Sequence, residues 1–270
     1  EMEMVMQSVS LCDEVTLHLG FPGGVRAESG LRFLPNDKSN LAVAAALAFR
    51  RTTGQTWKDL RISLTKRIPV CAGTAGGSSD AAAVLRGLNT LTGAGLSPQE
   101  LAKIGEEVGS DVPYCVLGGT ALAQGRGETL SPLPPLPDCF LVLCKPRFSI
   151  STPALFRTWD KAKRHLRPDT RGVIAALERG DLVALAQRMF NVFEAVLPPH
   201  QHRDIEGIKT TLFQAGALGA AMSGSGPTVF GLFSQEAAAR KAVAVLQEDY
   251  DEVYLTHPLP AHGASCQIPV

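Results

Sequence analysis

"RIPVCAGTAGGSSDAAAVLRGLNTL", residues 67–91, runs from a proline through a glycine-rich loop into an alanine-rich helix. Gly73, Gly76 and Gly77 let the backbone take positive φ and approach a ligand with no Cβ in the way. Ser78 and Ser79 follow where a helix begins. A helix N-terminus presents unpaired N–H groups and about half a positive charge, both suited to phosphate oxygens. The loop lacks the Gly-Lys-Ser/Thr ending of a Walker A loop. Read alone it is either an anion cradle or a capped helix after a flexible turn. The full run P-x-x-x-G-x-x-G-G-S-S-x-A favours a phosphate cradle made of Pro69, Val70, Cys71, Ala72, Gly73, Thr74, Ala75, Gly76, Gly77, Ser78 and Ser79. The serine hydroxyls, Ser79 in particular, can also coordinate a Mg2+ that bridges phosphate oxygens. Ala81, Ala82 and Ala83 read as packing residues. Lys66, just before the loop, is either a solvated strand-end lysine or a nucleotide contact.

The remaining composition narrows the class. The chain has 270 residues, enough for one large domain or two lobes. Apolar residues make up 45% and charged residues 19%, a balance typical of a globular protein. Lys plus Arg equals Asp plus Glu at 26 each, so no basic field recruits nucleic acid or an anionic membrane. No apolar stretch approaches the ~20 residues that span a bilayer. Six cysteines, at 12, 71, 115, 139, 144 and 266, form no C-x-x-C pair. They read as reduced thiols of a cytoplasmic protein, with Cys139 and Cys144 on opposite faces of one strand. The chain begins with Glu1 and enters strand-like sequence almost at once, so we expect a native segment upstream of it.

Strands are expected over 13–19 and 24–33, joined by the turn through Pro22-Gly23-Gly24. Ser39 is expected to cap a helix that stops at Gly54. Leu60, Ile62 and Leu64 alternate in a strand over 59–69. A capped helix with Pro98 in its first turn spans 96–109, and 139–146 reads as a buried strand. The proline-rich stretch 131–138 is a connector at a lobe boundary, which divides the chain into 1–138 and 139–270. Helices are expected at 153–160, 170–178, 181–195, 203–215 and 234–248. A strand, a glycine loop and a second strand cover 216–233, and a last strand 252–256. Strands and helices mix without a regular βαβ beat, which predicts an α+β fold with two lobes.

Three stretches together, "KRIPVCAGTAGGSSDAAAVLRGLN" (66–89), "GSDVPYCVLGGTALAQGRGE" (109–128) and "MSGSGPTVFGLF" (222–233), resemble the GHMP kinase superfamily. The likeness covers residues 1 to 256 in order. It is greatest to the branch acting on a cytidine diphosphate-linked methylerythritol in the non-mevalonate route to isoprenoids. The resemblance implies a two-lobed fold, with a ribosomal-protein-S5-like N-terminal lobe and a C-terminal α/β sandwich. It further implies ATP and Mg2+ as cofactors, phosphorylation of the substrate's 2-hydroxyl, and a monomer or homodimer. Homoserine-type or mevalonate-type kinases of the superfamily, and a silent nucleotide-binding relative, are the competing readings. Thr74 stands where the family loop usually has leucine. Family members also carry a Lys-x-Asn and a Gly-Tyr-His motif that we expect upstream of Glu1.

Phosphorylating an alcohol requires positioning, neutralisation of the γ-phosphoryl charge and a group that accepts the hydroxyl proton. Asp111, between Gly109-Ser110 and Val112-Pro113, is either a capping residue or that base. The resemblance places the family's catalytic aspartate there. "SGSGP" (223–227), an ordinary turn by itself, becomes through the resemblance a second phosphate loop, with Ser223, Gly224, Ser225 and Gly226 as backbone donors. Asn40 and Leu41 match an Asn-Leu pair implied to meet adenine, with helix capping the alternative for Asn40. Thr152, Pro153 and Phe156 match a Thr-Pro-x-x-Phe stretch on the acceptor side. There Phe156 either stacks on cytosine or is a core aromatic. Arg126 is a further candidate beside the substrate, and Asn191 is family-like without an assigned role. His18, His165, His200, His202, His257 and His262 show no metal-ligand pattern.

Overall fold

In the computed structural model, residues 2–162 and 167–261 are described; His165, His262 and Cys266 lie outside them. The first sheet holds β2 (Glu14–Leu19), β3 (Val25–Ser29) and β4 (Leu60–Thr65) in the order β2-β4-β3. β4 runs antiparallel to β2 and parallel to β3. The two strands expected on either side of the glycine turn therefore do not pair with each other. The turn instead closes around the start of β4. The Asp59 carboxylate accepts from the N–H groups of Gly23 and Gly24 at 3.1 and 2.7 Å, and Leu60 donates to the Gly24 carbonyl. Leu60, Ile62 and Leu64 point as a buried row into the core, as their alternation predicts.

Two helices cover that sheet. α1 (Leu41–Thr53) ends at Gly54 in the left-handed conformation. Its cap is Asn40 and not Ser39: the Ser39 N–H is occupied by Asp37, and the Asn40 side chain accepts from Ala42. α2 (Gly76–Thr92) stops at Gly93. Ala42, Ala45 and Ala46 of α1, with Ala81 and Ala82 of α2, are fully buried, so small side chains let the pair approach closely. At Gly87 a Cβ would lie 2.7 Å from Leu17, so this position brings α2 onto β2. α3 (Pro98–Glu106) begins at a capping box made by Ser97 and Glu100. α4 (Val112–Leu117) is short and packs on α2 and α3.

A second sheet consists of β1 (Met2–Gln7), β5 (Thr120–Gly125) and β6 (Thr129–Pro132), antiparallel in the order β1-β5-β6. The third holds β7 (Phe140–Lys145), β8 (Gly219–Met222), β9 (Val229–Phe233) and β10 (Glu252–Thr256), antiparallel in the order β10-β7-β9-β8. It is covered on both faces. Cys139 and Leu141 pack with Ala176 and Leu177 of α6 (Thr170–Glu178) and Leu185 of α7 (Leu182–Ala186). Val142 and Cys144 face Ile205, Ile208 and Leu212 of α8 (Pro199–Gln214) and Leu246 of α9 (Glu236–Leu246). The odd spacing of the two cysteines thus sends them into different cores. α5 (Thr152–Lys161) completes the helices. The single helix expected over 181–195 is two pieces, α7 and a 3-10 turn at Val192–Val196. Asn191 caps the second piece and binds the loop after β8, which draws the chain out of helical geometry. No helix among the described residues is long and apolar enough to cross a membrane.

Candidate active site

The glycine loop turns by three left-handed residues, Cys71 at φ 53°, Gly73 at 74° and Ala75 at 52°. Two of the three carry a Cβ, so the loop holds backbone strain of the kind that collects at functional sites. Ala75 leads into α2, whose first turn has no side-chain cap and no acidic residue. The helix N-terminus is therefore an open, electropositive end. Cys71 and Gly77 are exposed; Val70, Gly73, Thr74, Ala75, Gly76 and Ser79 are half-buried; Pro69, Ala72 and Ser78 are buried and support the loop from within. Thr74 donates its hydroxyl to the Pro69 carbonyl at 3.4 Å, so the departure from leucine adds a contact inside the loop.

The loop after β8 rests directly on the first one. Ser223 Oγ donates to the Gly73 carbonyl at 2.9 Å, and the Thr228 N–H donates to the Ala72 carbonyl at 3.2 Å. A Cβ on Gly73 would sit 2.3 Å from the Ser223 carbonyl oxygen and 2.7 Å from the Gly226 nitrogen. Only glycine permits that approach. Ser223, Gly224, Ser225 and Gly226 are thus brought against the cradle. The Ser225 hydroxyl then meets the Thr152 hydroxyl at 2.7 Å, linking this loop to the first turn of α5.

Lys66 takes a different place from the one expected. Its ammonium lies between the carboxylates of Asp13 and Asp80, with Asp80 Oδ2 at 2.6 Å, and only 7% of its side chain is exposed. Paired with two carboxylates and nearly buried, Lys66 braces the chain beneath the start of α2, with its Nζ 3.6 Å from where a Cβ on Gly76 would stand. Asp13 also accepts from the N–H groups of Arg67 and Ile68, at 2.5 and 2.9 Å, which peels the chain off β4 after Thr65. Burial raises the Asp80 pKa to about 6, and among the described residues its buried Oδ1 has no partner.

Asn40 spends both ends of its amide on the backbone, accepting from Ala42 and donating to the Pro35 carbonyl at 2.9 Å. Leu41 lies beside Gly77, 3.5 Å from where a Cβ would stand. Two cavities open nearby. One of about 240 Å3 is lined by Asn40, Leu31, Leu64 and Pro35 among others. The other, of about 430 Å3, is lined by Lys66, Val70, Leu31 and Tyr254 among others.

Asp111 stands at the N-terminus of α4 without capping it. Among the described residues its carboxylate has no hydrogen bond or ion pair, and burial raises its pKa. Gly127, in the β5–β6 turn, leaves room beside it: a Cβ there would be 3.6 Å from Asp111 Oδ1. Cys115, one turn along α4, has its pKa pushed up to about 12, first by burial and then by the charge of Asp111, with Asp80 a smaller contributor. Asp111 and the first turns of α2 therefore share a neighbour. A half-buried carboxylate with no partner suits proton acceptance.

On the acceptor side, Thr152 and Pro153 are exposed at the start of α5 and Phe156 is half-buried. The Phe193 ring is met edge-on by Phe156 at 4.9 Å and by Trp159 at 6.3 Å. Arg126 lies at the tip of the β5–β6 turn with 90% of its side chain exposed. Among the described residues no group of three His, Cys, Asp or Glu converges as a metal site, and His18, His200, His202 and His257 are exposed. The sequence reading missed Asp13 and Asp80, and left Asn191 and Glu194 without a task. An aspartate inside the first turns of a proposed anion-binding helix was the one available signal for Asp80.

The family models of the GHMP kinases N terminal domain and the GHMP kinases C terminal match residues 40–119 and 173–252. The 4-diphosphocytidyl-2-C-methyl-D-erythritol kinase of Levilactobacillus brevis is 44% identical, covering 96% of this chain and 91% of that protein. The enzyme of the same name from Alkaliphilus metalliredigens is 41% identical, over 94% of this chain and 87% of that protein. A crystal structure of 4-(cytidine 5'-diphospho)-2C-methyl-D-erythritol kinase superposes with a TM-score of 0.77 at 28% identity, covering 95% of this chain and 89% of the other. Homoserine kinase from Cytophaga hutchinsonii, at 23% identity and a TM-score of 0.78 over 95% and 89% of the chains, shares the fold. Shape alone does not separate the two, but sequence identity across nearly the whole length does: the chain belongs to the GHMP kinases, in the family of the 4-diphosphocytidyl-2-C-methyl-D-erythritol kinases.

Proposed function

We infer that the protein transfers the γ-phosphoryl group of ATP to the 2-hydroxyl of 4-diphosphocytidyl-2-C-methyl-D-erythritol. The observation that carries this reading is the contact between two glycine loops at the uncapped end of α2, together with Asp111, a carboxylate without a partner among the described residues. In this assignment the backbone of residues 69–79 and 223–226 holds the triphosphate. Asp111 accepts the proton as the substrate oxygen bonds to phosphorus and ADP leaves. Thr152, Pro153 and Phe156 border the acceptor, Asn40 and Leu41 the adenine side, and Lys66 keeps the cradle in shape. Mg2+ fits this set as a hard cation held mainly by phosphate oxygens, with the Ser79 hydroxyl as the protein ligand. When bound it would neutralise charge on the phosphates.

We place the lobe boundary at 138/139. Its support is that one apolar cluster draws on residues 27–116 and another on residues 142–253. The test of the reaction is phosphorus NMR of the product formed from ATP, Mg2+ and the cytidine-bearing alcohol. One new phosphomonoester on the 2-hydroxyl is the expected result; ADP release without it contradicts the assignment.

A further inference from the structure

The turn at residues 191–194 holds the second glycine loop through two side chains, Asn191 and Glu194, each anchored at its other end outside the loop. Asn191 Nδ2 donates to the carbonyls of Met222 and Gly224, each at 2.7 Å, while its Oδ1 accepts from the Phe193 N–H at 2.9 Å. Glu194 Oε1 accepts from the Met222 N–H at 2.7 Å, and its other oxygen pairs with Lys209 at 2.8 Å. Lys209 is steadied in turn by Glu206 at 2.8 Å. Together these contacts fix the peptide planes 221–222, 222–223 and 224–225.

A trans peptide points its C=O and its N–H in opposite directions. Pinning the Gly224 carbonyl to Asn191 therefore aims the N–H of Ser225 away from the turn. Among the described residues that N–H has no hydrogen-bond partner. The same turn carries Phe193, which packs on Phe156 of α5, and α5 reaches back to Ser225 through Thr152.

We propose that Asn191 is a positioning residue that directs the Ser225 N–H at the nucleotide phosphates. This inference rests on the nucleotide reading of the two glycine loops. Glu194 and Lys209 set the turn from behind, and Phe193 ties its geometry to the acceptor side.

Asn191→Asp separates this role from simple capping. An aspartate still accepts from the Phe193 N–H but cannot donate to the two carbonyls. We expect the variant to fold, to bind a non-hydrolysable ATP analogue about tenfold more weakly, and to keep the acceptor KM within about threefold. Wild-type nucleotide affinity in a folded variant overturns the proposal. Should the variant fail to fold, the wild-type protein decides. On titration of 15N-labelled protein with the analogue, the Ser225 amide resonance is expected to move. Saturation with that resonance unmoved overturns the inference alone. A wild type that binds no nucleotide overturns the reading of the loops as well.

Discussion

Ser223 donates its hydroxyl to the backbone carbonyl of Gly73 at 2.9 Å, across 150 residues of sequence. This contact makes one cradle from two loops that belong to different parts of the chain. Placing a Cβ on Gly73 would put it 2.3 Å from the Ser223 carbonyl oxygen, so the loops would have to part. Gly73→Ala is expected to raise the KM for ATP by about tenfold or more and to cost about 1–3 kcal/mol of stability. Ser223→Ala removes one hydrogen bond without a clash and is expected to cost about 1 kcal/mol. Steady-state kinetics and thermal unfolding of the two variants check the order.

Asp111 is half-buried and has no hydrogen-bond or ion-pair partner among the described residues, and burial raises its pKa. A carboxylate must be ionised to take a proton, so a raised pKa moves the acidic limb of kcat/KM upward. That limb is expected above the ordinary carboxylate range and should vanish in Asp111→Asn. The same variant is expected to lose turnover by ~10²-fold or more while binding ATP normally. A pH–rate profile with an ATP-analogue titration measures both.

Asp80 has its pKa raised by burial from 3.8 to about 6 beside Lys66 and Asp13. The folded state then holds this proton more tightly than the unfolded chain. Its contribution to stability is fully present below pH 3.8 and is lost as the pH rises through about 6. Compared with Asp80→Asn, the wild type is therefore expected to lose on the order of 1–3 kcal/mol between those limits. Urea unfolding across the window, with both proteins in the same buffers, measures the difference.

Phe156 and Phe193 meet edge-on at 4.9 Å beside the first turn of α5. Phe156→Ala is expected to raise the acceptor KM by about tenfold and to leave the KM for ATP within about twofold. Initial-rate kinetics with each substrate varied in turn separate the two constants.

Local features of this fold were legible in the sequence because their causes are local. The glycines at 54 and 93 end α1 and α2, the alternation of Leu60, Ile62 and Leu64 marks β4, and the run from Pro69 to Ser79 forms the glycine loop and the first turn of α2. Sheet order was not legible, since Asp59 gathers the 20–24 turn only once β4 has entered between β2 and β3. The pairing of Lys66 was not legible for a related reason. Its partners Asp13 and Asp80 lie 53 residues upstream and 14 downstream, and only the folded chain encloses them. The break at 187–191 depends on carbonyls of residues 222 and 224, which no periodicity in that segment announces.

The most direct test is a comparison of kcat/KM for ADP formation with 4-diphosphocytidyl-2-C-methyl-D-erythritol, homoserine and mevalonate at saturating ATP. The cytidine-bearing alcohol is expected to exceed both others by ~10³-fold or more, because it alone can use the contacts assigned around Phe156. Comparable rates with homoserine or mevalonate, or no turnover of any of the three, would contradict the account.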